Sequence, residues 1–239
     1  MKKRLRKLGI EDEPWLIDKQ GKLAPRSLDI LALYARKLGF KNHKWPEIIS
    51  DEDMVLKTLK TRSFIQPELP AQQVELTTAV HSCPNTLTYE LGRRRQTLRA
   101  AAESIGLRLS FESAPYVSLD DLQVFPKQRY LDIKAELGEM IAYAFISGMH
   151  IHFGCDNLDQ AVRVVSHVTK TVLDDFRFAY TDKRLESYAA LAGEANLFCP
   201  DVHTWREYQE ALRSIVVGDK SALTDPGLCW FMVRVNEKY

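Results

Sequence analysis

The amino-acid sequence predicts an α+β fold, a mostly antiparallel sheet with helices packed on one face. Two observations carry this. Segments that alternate polar and apolar residues, and segments with helical periodicity, follow in the order strand, helix, strand, helix, strand, helix, strand, helices, strand. That order lacks the regular strand–helix alternation of a parallel, doubly wound sheet. A length of 239 residues fits one large domain or two small ones.

Leu8 to Asp18 reads as a strand with an irregularity at Pro14, and Asp18-Lys19-Gln20-Gly21 is a turn. Ser27 is the expected N-cap of a helix whose apolar positions are Ile30, Leu31, Leu33, Tyr34 and Leu38, with Gly39 closing it. Between Trp45-Pro46 and Gln66-Pro67 one short helix is expected. Gln73 to Thr78 alternates as a half-buried strand does. Leu87 to Ile105 is the clearest helix, stopped by Gly106, and Leu107 to Ser113 returns as a strand.

Tyr130 to about Phe145 predicts a helix, Met149 to Phe153 a short strand, and Leu158 to Val172 an amphipathic helix. A helix over Trp205 to Val216 follows His203-Thr204 as its cap. After the turn Thr224-Asp225-Pro226-Gly227, Cys229 to Val235 predicts a final strand.

Composition narrows the function classes. The chain is 45% hydrophobic and 27% charged, with a net charge of +1, so no global field draws it to nucleic acid or an anionic membrane. The basic start (Lys2, Lys3, Arg4, Arg6, Lys7) is either a solvated tail or an anion-binding arm. It is not followed by the apolar run of roughly 7–15 residues that a signal peptide needs. No apolar stretch reaches the ~18 residues of a membrane span. Cys83, Cys155, Cys199 and Cys229 form no C-x-x-C pair, so reduced thiols in a cytoplasmic protein are expected.

Four groups of residues have the types and spacings of a site. Glu11 and Glu13 stand at i and i+2 on the first strand and share a face. Two carboxylates side by side repel unless a proton or cation lies between them, and Mg²⁺ prefers such oxygens. Solvated charges on an exposed strand edge would use the same residues. Glu75 shares a face with Gln73 and Thr77 on a second alternating strand, so it adds a third carboxylate if the two faces adjoin. His150 and His152 repeat the i, i+2 spacing between Gly148 and Gly154, opposite Met149, Ile151 and Phe153. Arg234 follows Trp230-Phe231-Met232-Val233 and has the guanidinium suited to phosphate or carboxylate, or is a surface arginine. No Walker-type loop, G-x-G-x-x-G or G-x-S-x-G occurs, so a nucleotide here would be held by metal and cationic side chains.

Taken in order, these segments resemble glutamate–cysteine ligase family 2, the bacterial carboxylate–amine ligases. Leu8-Gly9-Ile10-Glu11-Asp12-Glu13 is similar to the family's opening G-[VI]-E-x-E strand. Gln73 to Thr78 resembles its V-E-[LF]-x-T strand, and Ser147 to Gly154 its G-x-H-[VI]-H-[VF]-G segment. Asp225-Pro226-Gly227 through Trp230, Phe231 and Arg234 resembles its W-[WF]-x-x-R strand. The resemblance implies a glutamine-synthetase-like catalytic sheet. It implies ATP and Mg²⁺ as cofactors, and small-molecule substrates: a glutamate whose side-chain carboxylate is phosphorylated, and an attacking amine such as cysteine. On the matching positions Glu11, Glu13 and Glu75 would hold Mg²⁺, His150 and Arg234 would meet the transferring phosphoryl group, and His152 would support nucleotide binding.

Three departures from the family accompany it. Asp12 stands where Glu is common. Ser187-Tyr188 runs into Ala189-Ala190 where an S-x-R loop is expected. The chain ends at Tyr239, before a G-T-[VI]-E-x-R strand, so residues 1–239 are expected to form one ligase-like catalytic domain without the family's C-terminal part. An open sheet edge there would leave room for a homo-oligomer. The alternatives are a ligase-derived binding or regulatory protein without turnover, a truncated non-functional relative, and a metal-dependent hydrolase, for which no water-activating base stands out.

Overall fold

The computed structural model describes residues 7–40, 44–113, 121–171, 183–193, 197–217, 220–224 and 233–235. Its contacts divide the chain into two compact units, residues 1–153 and 154–239. The architecture is α+β, and every strand ladder is antiparallel.

The first unit is built on a four-stranded sheet of order β3-β4-β1-β6, with β1 Leu8–Asp12, β3 Ile65–Pro67, β4 Val74–Thr77 and β6 Met149–Phe153. The expected strand from Leu8 to Asp18 is in fact two strands in two sheets. Pro14 has no N–H to extend the ladder. The chain therefore leaves β1 at Glu13-Pro14, and β2 (Trp15–Ile17) pairs instead with β5 (Arg108–Ser110).

The helices of this unit cover one face of the sheet. α1 (Ser27–Lys37), α2 (Met54–Ser63) and α3 (Pro84–Ser104) bury Ile30, Leu31, Leu59, Leu98 and Ala102 against Ile65, Val74 and Leu76. Leu87 and Leu91 of α3 close over Ile10 of β1. Strand periodicity places Val74 and Leu76 toward the helices and turns Glu75 to the opposite side.

Local chemistry sets the helix limits. Ser27 does not cap α1; it is the first helical residue, Arg26 holds the cap position, and no side chain bonds there. Asp53 caps α2 by accepting from the Val55 and Leu56 N–H groups at 2.9 and 3.0 Å. α3 begins three residues earlier than the periodicity predicts, because Pro84 suits the first turn. The helix expected from Tyr130 to Phe145 is α4 (Gln128–Leu137) followed by a 3-10 segment, Gly138–Ala144. The change falls at Gly138, whose φ of +54° with ψ of −127° lies where only glycine is at ease.

The second unit contains α5 (Leu158–Thr171), α6 (Lys183–Ala192), α7 (Trp205–Ser214) and a hairpin of β7 (Val216–Val217) with β8 (Lys220–Ser221). Val162 and Val165 of α5 pack with Tyr208 and Leu212 of α7. Thr204 caps α7 as expected, in a capping box with Glu207. Of the predicted strand from Cys229 to Val235, residues 229–232 lie outside the described residues, as does the turn at 225–227. Val233, Arg234 and Val235 are described and form no strand. The Val235 N–H donates to the Tyr208 hydroxyl at 3.0 Å, so this stretch is held by side-chain contacts instead of a ladder. Among the described residues no helix is long and apolar enough to cross a membrane.

Candidate metal centre

The face of the sheet away from α1–α3 is polar, and strand register gathers its charges. β1 is antiparallel to β6 with Glu11 opposite His150, and to β4 with Glu11 opposite Thr77. β3 is antiparallel to β4 with Gln66 opposite Glu75. Glu68 stands two residues beyond Gln66 and so follows it onto the same face.

Oxygens of Glu13, Glu68 and Glu75 all lie within 4.8 Å of one another. Three carboxylates this close repel unless protons or a cation intervene. Burial, followed by the charge of Glu68, raises the Glu75 carboxyl to about 9. Burial also raises Glu13 and Glu68; Glu75 and Glu11 add to it for Glu13, while Glu13 adds to it for Glu68. Gln66 works the other way: its Nε2 donates to Glu75 Oε1 at 2.5 Å and favours the ionised form.

Glu11 sits at the other end of this face and has a different environment. Its Oε2 lies 3.6 Å from His150 Nδ1 and 3.1 Å from His152 Nε2. The two imidazoles, His150 foremost, hold its carboxyl well below the usual range against the opposing effect of burial. His150 Nδ1 also lies 3.3 Å from Glu13 Oε1, so one ring links the two carboxylates.

The Glu13 backbone is pinned on both sides. Its N–H donates to the Gly148 carbonyl at 3.1 Å. Its carbonyl accepts from Ser147 Oγ at 2.6 Å and Gln73 Nε2 at 3.2 Å. Gly148 borders the site: a Cβ there would meet Glu13 Oε2 and His150 Nε2 at ordinary van der Waals contact, 3.6 Å from each.

Of the residues singled out from the sequence, the structure brings Glu11, Glu13, Glu75, His150 and His152 to one face. Arg234 lies in the second unit and is exposed; its expected phosphoryl contact rests on the sequence motif alone. Glu68 was not anticipated. Its signal was the alternation Ile65-Gln66-Pro67-Glu68, hidden because a proline argues against a strand; β3 is an edge strand, where proline is tolerated.

The donor set has a clear chemical fit. Three carboxylates suit a hard divalent cation such as Mg²⁺, which would offset the burial, and after it the mutual repulsion, that push these carboxyls up. The fold and this face together define an α+β protein with a carboxylate- and imidazole-lined sheet.

The chain belongs to glutamate–cysteine ligase family 2 (GCS2), whose sequence model matches residues 7–172. Two relatives, each named "Putative glutamate--cysteine ligase 2", come from Laribacter hongkongensis and Chromobacterium violaceum. They are 30% and 32% identical over 109 residues, 45% of this chain and 29% of each relative. A third of the same name, from Bordetella parapertussis, is 29% identical over 160 residues, 66% of this chain and 33% of the relative. The chain thus matches about a third or less of these relatives' length. A solved glutamate–cysteine ligase (gshA) from Francisella tularensis, in complex with AMP, gives a TM-score of 0.43 at 18% identity. It covers 72% of this chain and 30% of that one, a likeness too low to carry an argument.

Proposed function

We propose that this chain works as an ATP- and Mg²⁺-dependent carboxylate–amine ligase of the glutamate–cysteine type. The phosphoryl group of ATP passes to the side-chain carboxylate of glutamate, giving an acyl phosphate and ADP. An amine such as that of cysteine then attacks the acyl carbon, the C–N bond forms, and phosphate leaves. One observation supports the reading above all others: Glu13, Glu68 and Glu75 converge within 4.8 Å, on the face that carries His150, in a chain of this family.

Glu13, Glu68 and Glu75 would hold Mg²⁺, which supplies charge neutralisation for the phosphates. Glu11 orients His150 and His152 through the contacts at 3.6 and 3.1 Å. Both imidazoles lie on the face that carries the carboxylates, where their ring N–H groups can donate to an anionic phosphoryl group.

Calorimetric titration of Mg²⁺–ATP into the wild type and Glu75→Gln tests this. Saturable binding that the variant loses, with ADP release once glutamate and cysteine are added, is the expected result. A folded wild type that binds no Mg²⁺–ATP overturns the proposal. Binding without ADP release would leave a ligase-derived binding protein.

A further inference from the structure

The helix-covered side of the sheet has its own cavity, of about 550 Å³, within the first unit. It is open to solvent and is lined by the C-terminal ends of α1 and α2, by α3 from Thr86 to Thr97, and by Leu76 of β4 and His81. Leu76 and Glu75 are consecutive strand residues and point to opposite faces, so this cavity and the carboxylate cluster lie on opposite sides of the sheet.

Its lining is strongly unbalanced in charge. Lys37, Arg62, Arg93 and Arg94 supply four cations and Glu90 the single carboxylate, an excess of three. Basic composition does not explain this, because the whole chain carries only +1. Glu90 is already engaged by Arg94 and by His81. Arg94 is also used structurally: it donates to the Ser63 carbonyl at the end of α2 and lies 3.9 Å over the Phe64 ring. Lys37 sits 5.6 Å over the Tyr34 ring. Lys37, Arg62 and Arg93 have no carboxylate within ion-pair reach among the described residues.

Three uncompensated cations around one concavity repel each other and lower the free energy of any anion that enters. The floor is different: Leu38, Leu76 and the buried ring of Tyr34 are apolar, and Tyr89 at the rim offers an exposed ring. A volume of 550 Å³ accommodates a small molecule and not merely a single ion.

We propose that this cavity is a second ligand site, for a small multivalent anion with phosphate or carboxylate groups that meet Arg62, Arg93 and Lys37. The apolar floor takes the body of the ligand. The site is separate from the carboxylate cluster and needs no metal.

The probes are inorganic pyrophosphate and citrate, titrated calorimetrically into the full chain in metal-free buffer. The unfolding midpoint is followed in parallel against sodium chloride at matched ionic strength. The expected result is saturable binding of at least one probe, with a midpoint rise that sodium chloride does not reproduce. Preference for pyrophosphate marks a phosphorylated ligand, and preference for citrate a polycarboxylate. Arg62→Gln with Arg93→Gln changes two exposed side chains, so the fold is kept and affinity falls about tenfold or more. Glu75→Gln, on the other face, leaves this binding unchanged even if Mg²⁺–ATP never binds. Absence of saturable binding by either probe, equal binding by the double variant, or an equal midpoint rise in sodium chloride overturns the proposal.

Discussion

Gln66 stands directly opposite Glu75 across β3 and β4, and its side-chain amide donates to the Glu75 carboxylate at 2.5 Å. This is the contact that holds down the charge cost of the most perturbed carboxyl in the cluster. Gln66→Ala removes it without touching the three carboxylates. Divalent-cation affinity should fall about 10–100-fold, as is typical when an outer partner of a ligand is lost. Calorimetric Mg²⁺ titration of the two proteins checks this; equal affinities would show that the amide has no part in the site.

Glu68 and Glu11 separate the structural cluster from the set expected from sequence. Glu68 lies among the three convergent carboxylates, whereas Glu11 is engaged by His150 and His152. Glu68→Gln should therefore weaken Mg²⁺ binding more than Glu11→Gln. The reverse order in a side-by-side titration would return the metal to the Glu11 end of the face.

The raised carboxyls give stability a defined pH slope. A carboxyl whose folded pKa exceeds its unfolded value binds more protons when folded, so stability falls as pH rises between the two values. Glu75, raised from 4.5 to about 9, sets the window. The metal-free chain should lose several degrees of unfolding midpoint between pH 5 and pH 9 from this cluster. Mg²⁺ should restore the midpoint at the alkaline end and have little effect at pH 5. Uptake near pH 7.5 should release protons, seen as calorimetric heats that depend on the buffer.

Asp12 faces the helices and is 2% exposed, where Arg95 of α3 grips it with Nε–Oδ2 and Nη2–Oδ1 contacts of 2.7 and 2.8 Å. Arg95 itself is 34% exposed. Arg95→Ala strands a buried carboxylate and should cost about 3 kcal/mol. Asp12→Asn leaves a guanidinium that water can reach and should cost less, ~1–2 kcal/mol. Urea unfolding of both variants measures the asymmetry.

In the second unit, Thr204→Ala removes the acceptor for the Glu207 N–H and opens the capping box of α7. A loss of about 1 kcal/mol is expected. A smaller loss for Thr204→Ser in the same unfolding experiment would identify the hydroxyl as the cause.

Much of this was legible in the sequence where one periodicity dominates. The alternation of Gln73 to Thr78 and of Met149 to Phe153 predicts both strands and the faces of Glu75, His150 and His152. The α3 periodicity is unbroken over several turns. Proline hid the rest in two ways. At Pro14 one segment that reads as a single strand, Leu8 to Asp18, conceals a change of sheet, because the hydrogen-bond partners switch from β4 and β6 to β5. At Pro67 an edge strand looks like a loop, and Glu68 with it. The cavity behind the sheet draws on residues 34 to 97, a proximity that only the packing of three helices creates. No local pattern encodes such a neighbourhood.

Five-residue β1 serves two layers with adjacent side chains. Asp12 is clamped by α3 while Glu11, and Glu13 just past the strand's end, turn to the opposite face. Inserting or deleting one residue in this strand would exchange every assignment at once, presenting Ile10 and Asp12 to the polar face and burying glutamates under the helices. Length variation is thus barred from β1, and natural or engineered insertions in this unit have to go into its connecting loops. The strand is a frame with a single permitted phase, and libraries that vary its side chains while keeping its length should recover far more folded protein than those that shift it.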